Sequence, residues 1–197
     1  MNRVDFDVII IGAGPGGIYS AYELKKIAPD LSVAVFESGK PLEQRKCPID
    51  GKKIKACIGC KSCAIMNGFG GAGAFSDGKY NITNSFGGTL HEYVGRETAI
   101  DLMQYVDGIN MENGGEGTHL YSTANTPIKK LCMQNDLHLL DASVRHLGTD
   151  INYVVLENLY TELCKKVSFF FDTPVDTVRK TDSGFEIEAA GKVYNSQ

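Results

Sequence analysis

Between residues 12 and 17 the chain runs Gly12-Ala13-Gly14-Pro15-Gly16-Gly17, and 25 residues after Gly12 it places an acid, Glu37. That combination suits a phosphate and a sugar. Gly12 can make a sharp turn that a residue with a Cβ makes only at a cost. The bare Gly14 lets a pyrophosphate approach the backbone, and Gly17 lets a following helix pack closely on the strand before it. N–H groups at the helix start then face the phosphate. Glu37, with Ser38 next to it, lies where a carboxylate accepts hydrogen bonds from a ribose 2′-hydroxyl, which argues against a 2′-phosphate. A lone G-x-G-x-x-G is weak evidence, so the surrounding pattern has to carry the reading.

A second set of residues could bind metal or exchange electrons. Cys47, Cys57, Cys60 and Cys63 put four thiols in seventeen residues, among Arg45, Lys46, Lys52, Lys53, Lys55 and Lys61. The step C-x2-C-x2-C matches iron–sulfur ligation of the ferredoxin type, although there the Cys-Pro pair follows the run and here Cys47-Pro48 precedes it. Four thiolates equally suit a structural zinc, which takes tetrahedral sulfur and accepts C-x2-C pairs. Redox thiols are a third reading, since neighbouring lysines favour thiolate and a dithiol can exchange electrons with a cofactor; inert thiols are the fourth. Cys132 and Cys164 fall at apolar positions of predicted helices, where a buried, unreactive thiol is expected.

The third stretch, Gly68-Phe69-Gly70-Gly71-Ala72-Gly73-Ala74-Phe75-Ser76-Asp77-Gly78-Lys79, holds five glycines in twelve residues. Such a backbone can approach a flat or charged ligand, and the interleaved Phe69 and Phe75 argue against a flexible linker. Gly71, Ala72, Gly73, Ser76 and Asp77 are its candidate ligand contacts. Lys79 is a candidate catalytic residue, and His146 is the other. His146 precedes a predicted helix start capped by Thr149 or Asp150, where its ring could donate a hydrogen bond or shuttle a proton, or only fix the turn. His91, His119 and His138 have no partner pattern.

Specific elements must position these groups. Val8 to Ile11 is too short and too β-branched for a free-standing helix, and its unbroken apolar run predicts a central parallel strand covered on both faces. Ile18, Ala21, Leu24 or Lys25, and Ala28 recur at helical spacing until Pro29-Asp30, and Val33 to Phe36 reads as the next strand. Residues 38–65 read as an insertion. Leu90, Val94, Thr98, Leu102 and Val106 predict one helix ended by Asp107-Gly108. Thr126-Pro127 opens a short helix to about Asn135, and Leu137 to Ser143 reads as a strand. A helix with Ile151, Val155, Leu159 and Leu163 on one face follows. Val167 to Phe171 is the third strand of the sheet, and Val175 to Lys180, Phe185 to Ala190 and Lys192 to Tyr194 form an antiparallel meander. The expected fold is thus α/β: a Rossmann-like domain, parallel sheet plus meander, built from residues 1–40 and 165–197, with an inserted, incomplete region over 41–164.

Charged residues make up 22% of the 197-residue chain and its net charge is −4. Nothing global points to nucleic acid or to an anionic membrane. No stretch reaches the ~18 apolar residues needed to span a bilayer, and no signal-peptide pattern opens the chain. A cytoplasmic location is the default expectation, in which six cysteines read as thiols or ligands and not as disulfides.

These stretches together resemble the FAD-dependent dehydrogenases grouped as uncharacterised NAD/FAD-utilising dehydrogenases, within the glutathione-reductase-like flavoproteins that carry two dinucleotide-binding domains. The resemblance rests on Gly12 to Gly17 with Ala21 and Glu37, on Gly70 to Lys79, and on His146-Leu147-Gly148-Thr149-Asp150. It implies FAD, with Glu37 on the adenosine ribose, the Gly12 turn on the pyrophosphate, backbone at Val175 beside the adenine, and Gly70 to Lys79 along the ribityl chain and flavin. The implied activity is transfer of hydride or electron pairs through flavin, NAD(P)H being one possible electron partner and the substrate open. The alternatives are a non-catalytic dinucleotide- or metal-binding fragment and, disfavoured by Gly70 to Lys79, NAD as sole dinucleotide. Family members are longer, so the chain is expected to be an N-terminal fragment, or the product of a truncated gene, that lacks a further strand and part of a substrate domain.

Overall fold

The first strand β1 (Val8–Ile11), helix α1 (Pro15–Ile27) and strand β2 (Val33–Phe36) form the βαβ unit in the computed structural model, which describes residues 5–124 and 126–197. β1 and β2 run parallel, with Val8 opposite Val33 and Ile11 opposite Phe36. Pro15 opens α1 at a position where its missing N–H costs nothing. The helix ends where the buried Lys25 turns back, its ammonium donating to the carbonyls of Pro29 at 2.5 Å and Leu31 at 2.7 Å. The remaining elements are β3 (Lys79–Ile82), α2 (Leu90–Val94), α3 (Arg96–Asn110), β4 (Leu120–Ser122), α4 (Pro127–Gln134), β5 (Ser143–His146), α5 (Gly148–Leu163), β6 (Ser168–Phe170), β7 (Val175–Thr181), β8 (Gly184–Ala189) and β9 (Lys192–Ser196).

The chain divides into two compact units, residues up to Ala74 together with Leu156–Gln197, and Phe75–Val155. In the first, a parallel sheet of order β1-β2-β6 accompanies the meander β7-β8-β9. β2 is the buried middle strand. β1, expected to be central, pairs on one side only among the described residues, and Ile11 is 53% exposed. Period-two alternation in β6 splits its aromatic rings between the two faces of the sheet. Phe170 stacks on Phe36 at 4.6 Å, and Phe36 meets Tyr194 of the meander at 4.8 Å, over a core of Ala34, Ile187 and Ala189. Phe169 points the other way, to Phe69 at 5.8 Å and Tyr160 at 5.7 Å.

The first unit takes in residues 41–74 and 156–164, which the sequence reading gave to the insertion. Phe69 is fully buried against Tyr160 and Phe169, so the chain on both sides of the predicted boundary shares one core.

The second unit is built on an antiparallel sheet of order β3-β5-β4. The helix expected over residues 90–106 is two helices, α2 and α3, broken at Gly95, whose φ of +87° no right-handed helix tolerates. The strand expected at Leu137 to Ser143 lies further on, as β5, while β3 and β4 have no counterpart in the sequence reading. α4 starts as expected, with the Thr126 side chain accepting from the Lys129 amide. α5 begins at Gly148, so Thr149 and Asp150 occupy its first turn, and the Thr149 hydroxyl donates to the Ser76 carbonyl. Among the described residues no helix is long and apolar enough to cross a membrane.

Candidate functional site

The strand-to-helix turn is fixed by one close approach. The Gly12 amide donates to the Phe36 carbonyl at 2.7 Å, and its φ is +96°. This aims the Gly12 carbonyl at the start of α1, where a Cβ on Gly17 would lie 1.9 Å from that oxygen and 3.3 Å from the Ile10 Cγ2. Only a glycine lets helix and turn come so near. Gly14 caps α1 without a side-chain hydrogen bond, and a Cβ on Gly14 or Gly16 would meet nothing within 4 Å. The first turn of α1 therefore presents its amide end, with the positive end of the helix dipole, to an open face lined by bare backbone at those two positions.

Glu37 ends β2 and is 6% exposed. Its Oε2 accepts from the Ala13 amide at 2.8 Å. Its Oε1 accepts from the amides of Gly39 at 2.7 Å and Gly68 at 2.9 Å, and from the Ser38 hydroxyl at 3.2 Å. One carboxylate thus ties together the β1–α1 turn, the loop after β2 and the start of the second glycine-rich stretch. The Ala13 carbonyl accepts from Gly70 at 2.8 Å, and a Cβ on Gly71, whose φ is +58°, would come 3.2 Å from the Gly14 Cα. Two motifs 57 residues apart in sequence are laid backbone on backbone. A carboxylate offers about four lone-pair positions. At two positions per oxygen, the three donors on Oε1 more than fill it, while Oε2, with one donor among the described residues, keeps one.

Sequence reasoning missed Arg45. It is 4% exposed and forks onto three carbonyls, Nε to Ala64 at 2.9 Å, Nη2 to Ile65 at 2.7 Å and Nη1 to Phe69 at 2.6 Å. Burial pushes its guanidinium down, and the nearby Glu37 and Cys63 push back. The signal was one arginine in a run of lysines, since only a planar fork serves three carbonyls at once. Val175 opens β7, opposite Ala189, with its side chain against the core.

In the second unit, Lys79 and His146 face each other across the β3–β5 ladder, a register that puts both side chains on one face. Lys79 is ion-paired to Asp77 at 2.7 Å, and this hydrogen bond, ahead of the charges of Lys79 and His146, holds the Asp77 carboxyl below the usual range. The Ser76 hydroxyl accepts from the Gly78 amide at 3.2 Å. Ala72 and Gly73, which belong to the first unit, are exposed. Tyr80 next to Lys79 donates to the buried Asn152 at 2.9 Å, and burial raises its phenol. A cavity of about 390 Å³ in this unit is lined by Thr83, Asn84, Arg96, Asp141 and neighbours, none of them singled out from sequence.

The four clustered cysteines are not drawn into one ligand set. Among the described residues no three His, Cys, Asp or Glu side chains come together as a metal would need. Cys47, Cys57 and Cys60 are exposed and Cys63 half-buried, all as free thiols. The reason is local: Asp50 Oδ1 accepts from the amides of Lys52, Lys53 and Ile54, which turns the chain on itself, and residues 55–61 lie at the surface. Cys164 is exposed and Cys132 half-buried, against the expectation that both are buried.

No family model matches the chain. A segment is 44% identical over 43 residues to the "Probable electron transfer flavoprotein-ubiquinone oxidoreductase" of Acinetobacter baylyi, covering 19% of this chain and 8% of that protein. Among solved structures, glycine oxidase from Geobacillus kaustophilus superposes with a TM-score of 0.53 at 15% identity, over 97% of this chain and 53% of that one. The 3-ketosteroid-delta4-(5alpha)-dehydrogenase from Rhodococcus jostii RHA1 gives 0.53 at 15% identity, over 98% and 44%. The chain spans about half the length of these two structures. Identities this low speak to architecture, and with the parallel β1-β2-β6 sheet, the glycine turn and the meander they show a Rossmann-like α/β fold shared with oxidoreductases.

Proposed function

We propose that the chain binds FAD and serves an oxidoreductase of unassigned substrate. One observation carries this: the open face over Gly14 and Gly16, backed by the amide end of α1 and bordered by the Glu37 carboxylate with one acceptor position to spare. The cradle fits a dinucleotide, because a Cβ at either glycine would fill the space a phosphate needs. The α1 amides would hold the pyrophosphate, and Oε2 of Glu37 would accept one ribose hydroxyl. Gly71, packed on Gly14, would let the backbone of the second glycine-rich stretch continue along the ligand. Bound FAD supplies hydride or electron-pair transfer. In the second unit, Lys79, ion-paired to Asp77, and His146 share one face of the β3–β5 ladder as the candidate catalytic pair.

The names of the aligned proteins, an oxidase, a dehydrogenase and a flavoprotein-ubiquinone oxidoreductase, support oxidoreductase chemistry without choosing a substrate. The test is to purify the full chain, denature it and identify the released chromophore, then to repeat this with Gly14→Val. FAD released from the parent chain and lost from the variant, with unchanged circular dichroism, is the expected result. Release of NAD, or FAD retained by Gly14→Val, overturns the proposal.

A further inference from the structure

We propose that Arg45 is a positioning residue for the flavin half of a bound FAD: its fork sets the backbone from Phe69 to Gly71 against the β1–α1 turn, and so governs how far FAD is preferred over ADP. This rests on the FAD binding proposed for the same site. A short 3₁₀ turn (Leu42–Gln44), anchored by the buried Leu42, delivers the side chain, and the Arg45 amide donates to the Leu42 carbonyl at 3.2 Å. The stem then runs against bare backbone. A Cβ on Gly68, whose φ is +114°, would lie 2.6 Å from the Arg45 Cδ and 2.5 Å from the Lys40 carbonyl oxygen. From there the guanidinium gathers the carbonyls of Ala64, Ile65 and Phe69.

The peptide unit between Phe69 and Gly70 is where the fork acts. Its carbonyl accepts from Nη1 of Arg45 at 2.6 Å, and its N–H donates to the Ala13 carbonyl of the β1–α1 turn at 2.8 Å. A planar trans peptide carries these two groups on opposite edges, so holding one edge aims the other. Its neighbours are tied as well, the Phe69 amide to the Lys40 carbonyl at 3.1 Å and the Gly71 amide to the Gly68 carbonyl at 2.8 Å. Without the Arg45 donors the peptide plane can rotate, which draws the Gly70 N–H away from Ala13 and Gly71 off Gly14. Residues 12–17 and Glu37 would meet ADP and FAD alike, whereas only FAD would extend along the stretch beyond Gly71. Lysine cannot take over, because an ammonium is a point charge without a planar fork for three carbonyls.

Titrating ADP against FAD on the purified full chain, followed by flavin fluorescence anisotropy, reads the preference directly as the excess of ADP that displaces half the flavin. Arg45→Lys should lower that excess about tenfold or more, with an unchanged circular dichroism spectrum. A general loss of structure weakens both ligands together and leaves the excess where it was. Gly71→Ala, whose Cβ at φ +58° would come 3.2 Å from the Gly14 Cα, opens the same seam without touching Arg45 and should lower the excess too. In the double variant the two losses should not add. An excess unchanged in Arg45→Lys, or in Gly71→Ala where Arg45→Lys does not fold, overturns the role of Arg45 while FAD binding stands. So does a parent chain in which ADP displaces FAD at equal concentration. A parent chain that takes up no FAD overturns the FAD reading and this role with it.

Discussion

Replacing Glu37 by alanine strips a buried acceptor from three backbone amides at once, those of Ala13, Gly39 and Gly68. Ala13, Gly39 and Gly68 are themselves buried. Leaving a buried donor unsatisfied costs about 1–3 kcal/mol. Three such losses, lessened by water entering the vacated space, give an expected destabilisation of about 3–5 kcal/mol, against roughly 5–15 kcal/mol for a whole domain. Glu37→Gln is the graded control. Its carbonyl can keep the amides of Gly39 and Gly68, but its NH2 then faces the Ala13 N–H, so about 1–3 kcal/mol is lost. The assay is urea unfolding of the purified chain by circular dichroism, with amide hydrogen exchange as the local reporter. In Glu37→Ala the amides of Ala13, Gly39 and Gly68 should all exchange faster, together, while those of the meander do not. Unfolding of Glu37→Ala within about 0.5 kcal/mol of the parent, or faster exchange at Ala13 alone, would refute the view that this acid is a structural tie as well as a candidate ribose ligand.

Gly17→Ala drives a Cβ into the Gly12 carbonyl and should cost about 3 kcal/mol or more, whereas Gly14→Ala, facing open space, should leave unfolding unchanged and weaken dinucleotide binding; thermal melts and ligand titration of the pair check this. With one acceptor position left on Oε2, loss of one adenosine ribose hydroxyl but not the other should weaken ADP binding about ten- to hundredfold, compared by calorimetry with the 2′-deoxy and 3′-deoxy analogues. Asp77 is lowered by Lys79, so the stability from this pair is present above the ordinary carboxylate range and fades as pH falls through the lowered value; in Lys79→Met the Asp77 titration, followed by carboxyl NMR, should move up. Asp107→Ala leaves Arg145, whose Nε and Nη2 donate to it at 3.0 and 2.7 Å, with only the Thr118 carbonyl, and should cost the second unit about 3–5 kcal/mol, read as faster exchange of the β5 amides.

Where sequence and structure agree, the signal was local and periodic. An apolar run, a glycine turn and a second apolar run close into βαβ because each step is decided within a few residues, and the meander follows from short alternating strands between Asp-Ser-Gly and Ala-Gly turns. Misses came where a distant partner decides. β3 and β4 are strands only because β5 lies between them, and a three-residue run such as Leu120–Ser122 carries no period of its own. Gly95 broke a helix that the four-residue spacing favoured, since one residue at φ +87° outweighs a stripe of largely exposed side chains. The position of β1 in its sheet was equally beyond periodicity, because an apolar run records that a strand can be covered and not which neighbours pair with it.

Glu37 shows why the candidate site was only half legible. Its spacing from Gly12 marked it as a ribose acceptor, and that reading needs nothing beyond the βαβ unit. The structure commits three of its hydrogen bonds to amides at 13, 39 and 68, the last contributed by a stretch that sequence reading had assigned to a different duty. An acid at the end of β2 is therefore required by the loops around the β1–α1 turn in its own right, and its presence alone is weaker evidence for a ribose than the spacing suggests. What points to a ligand is the remainder, the lone-pair position left on Oε2 beside bare backbone at Gly14 and Gly16. The same carboxylate that fixes Ala13 also fixes Gly68 and, through the Gly70 amide on the Ala13 carbonyl, holds Gly71 over Gly14. The two glycine-rich motifs thus form one surface because a single buried charge holds both, so a change at Glu37 reaches the second motif before it reaches any sugar.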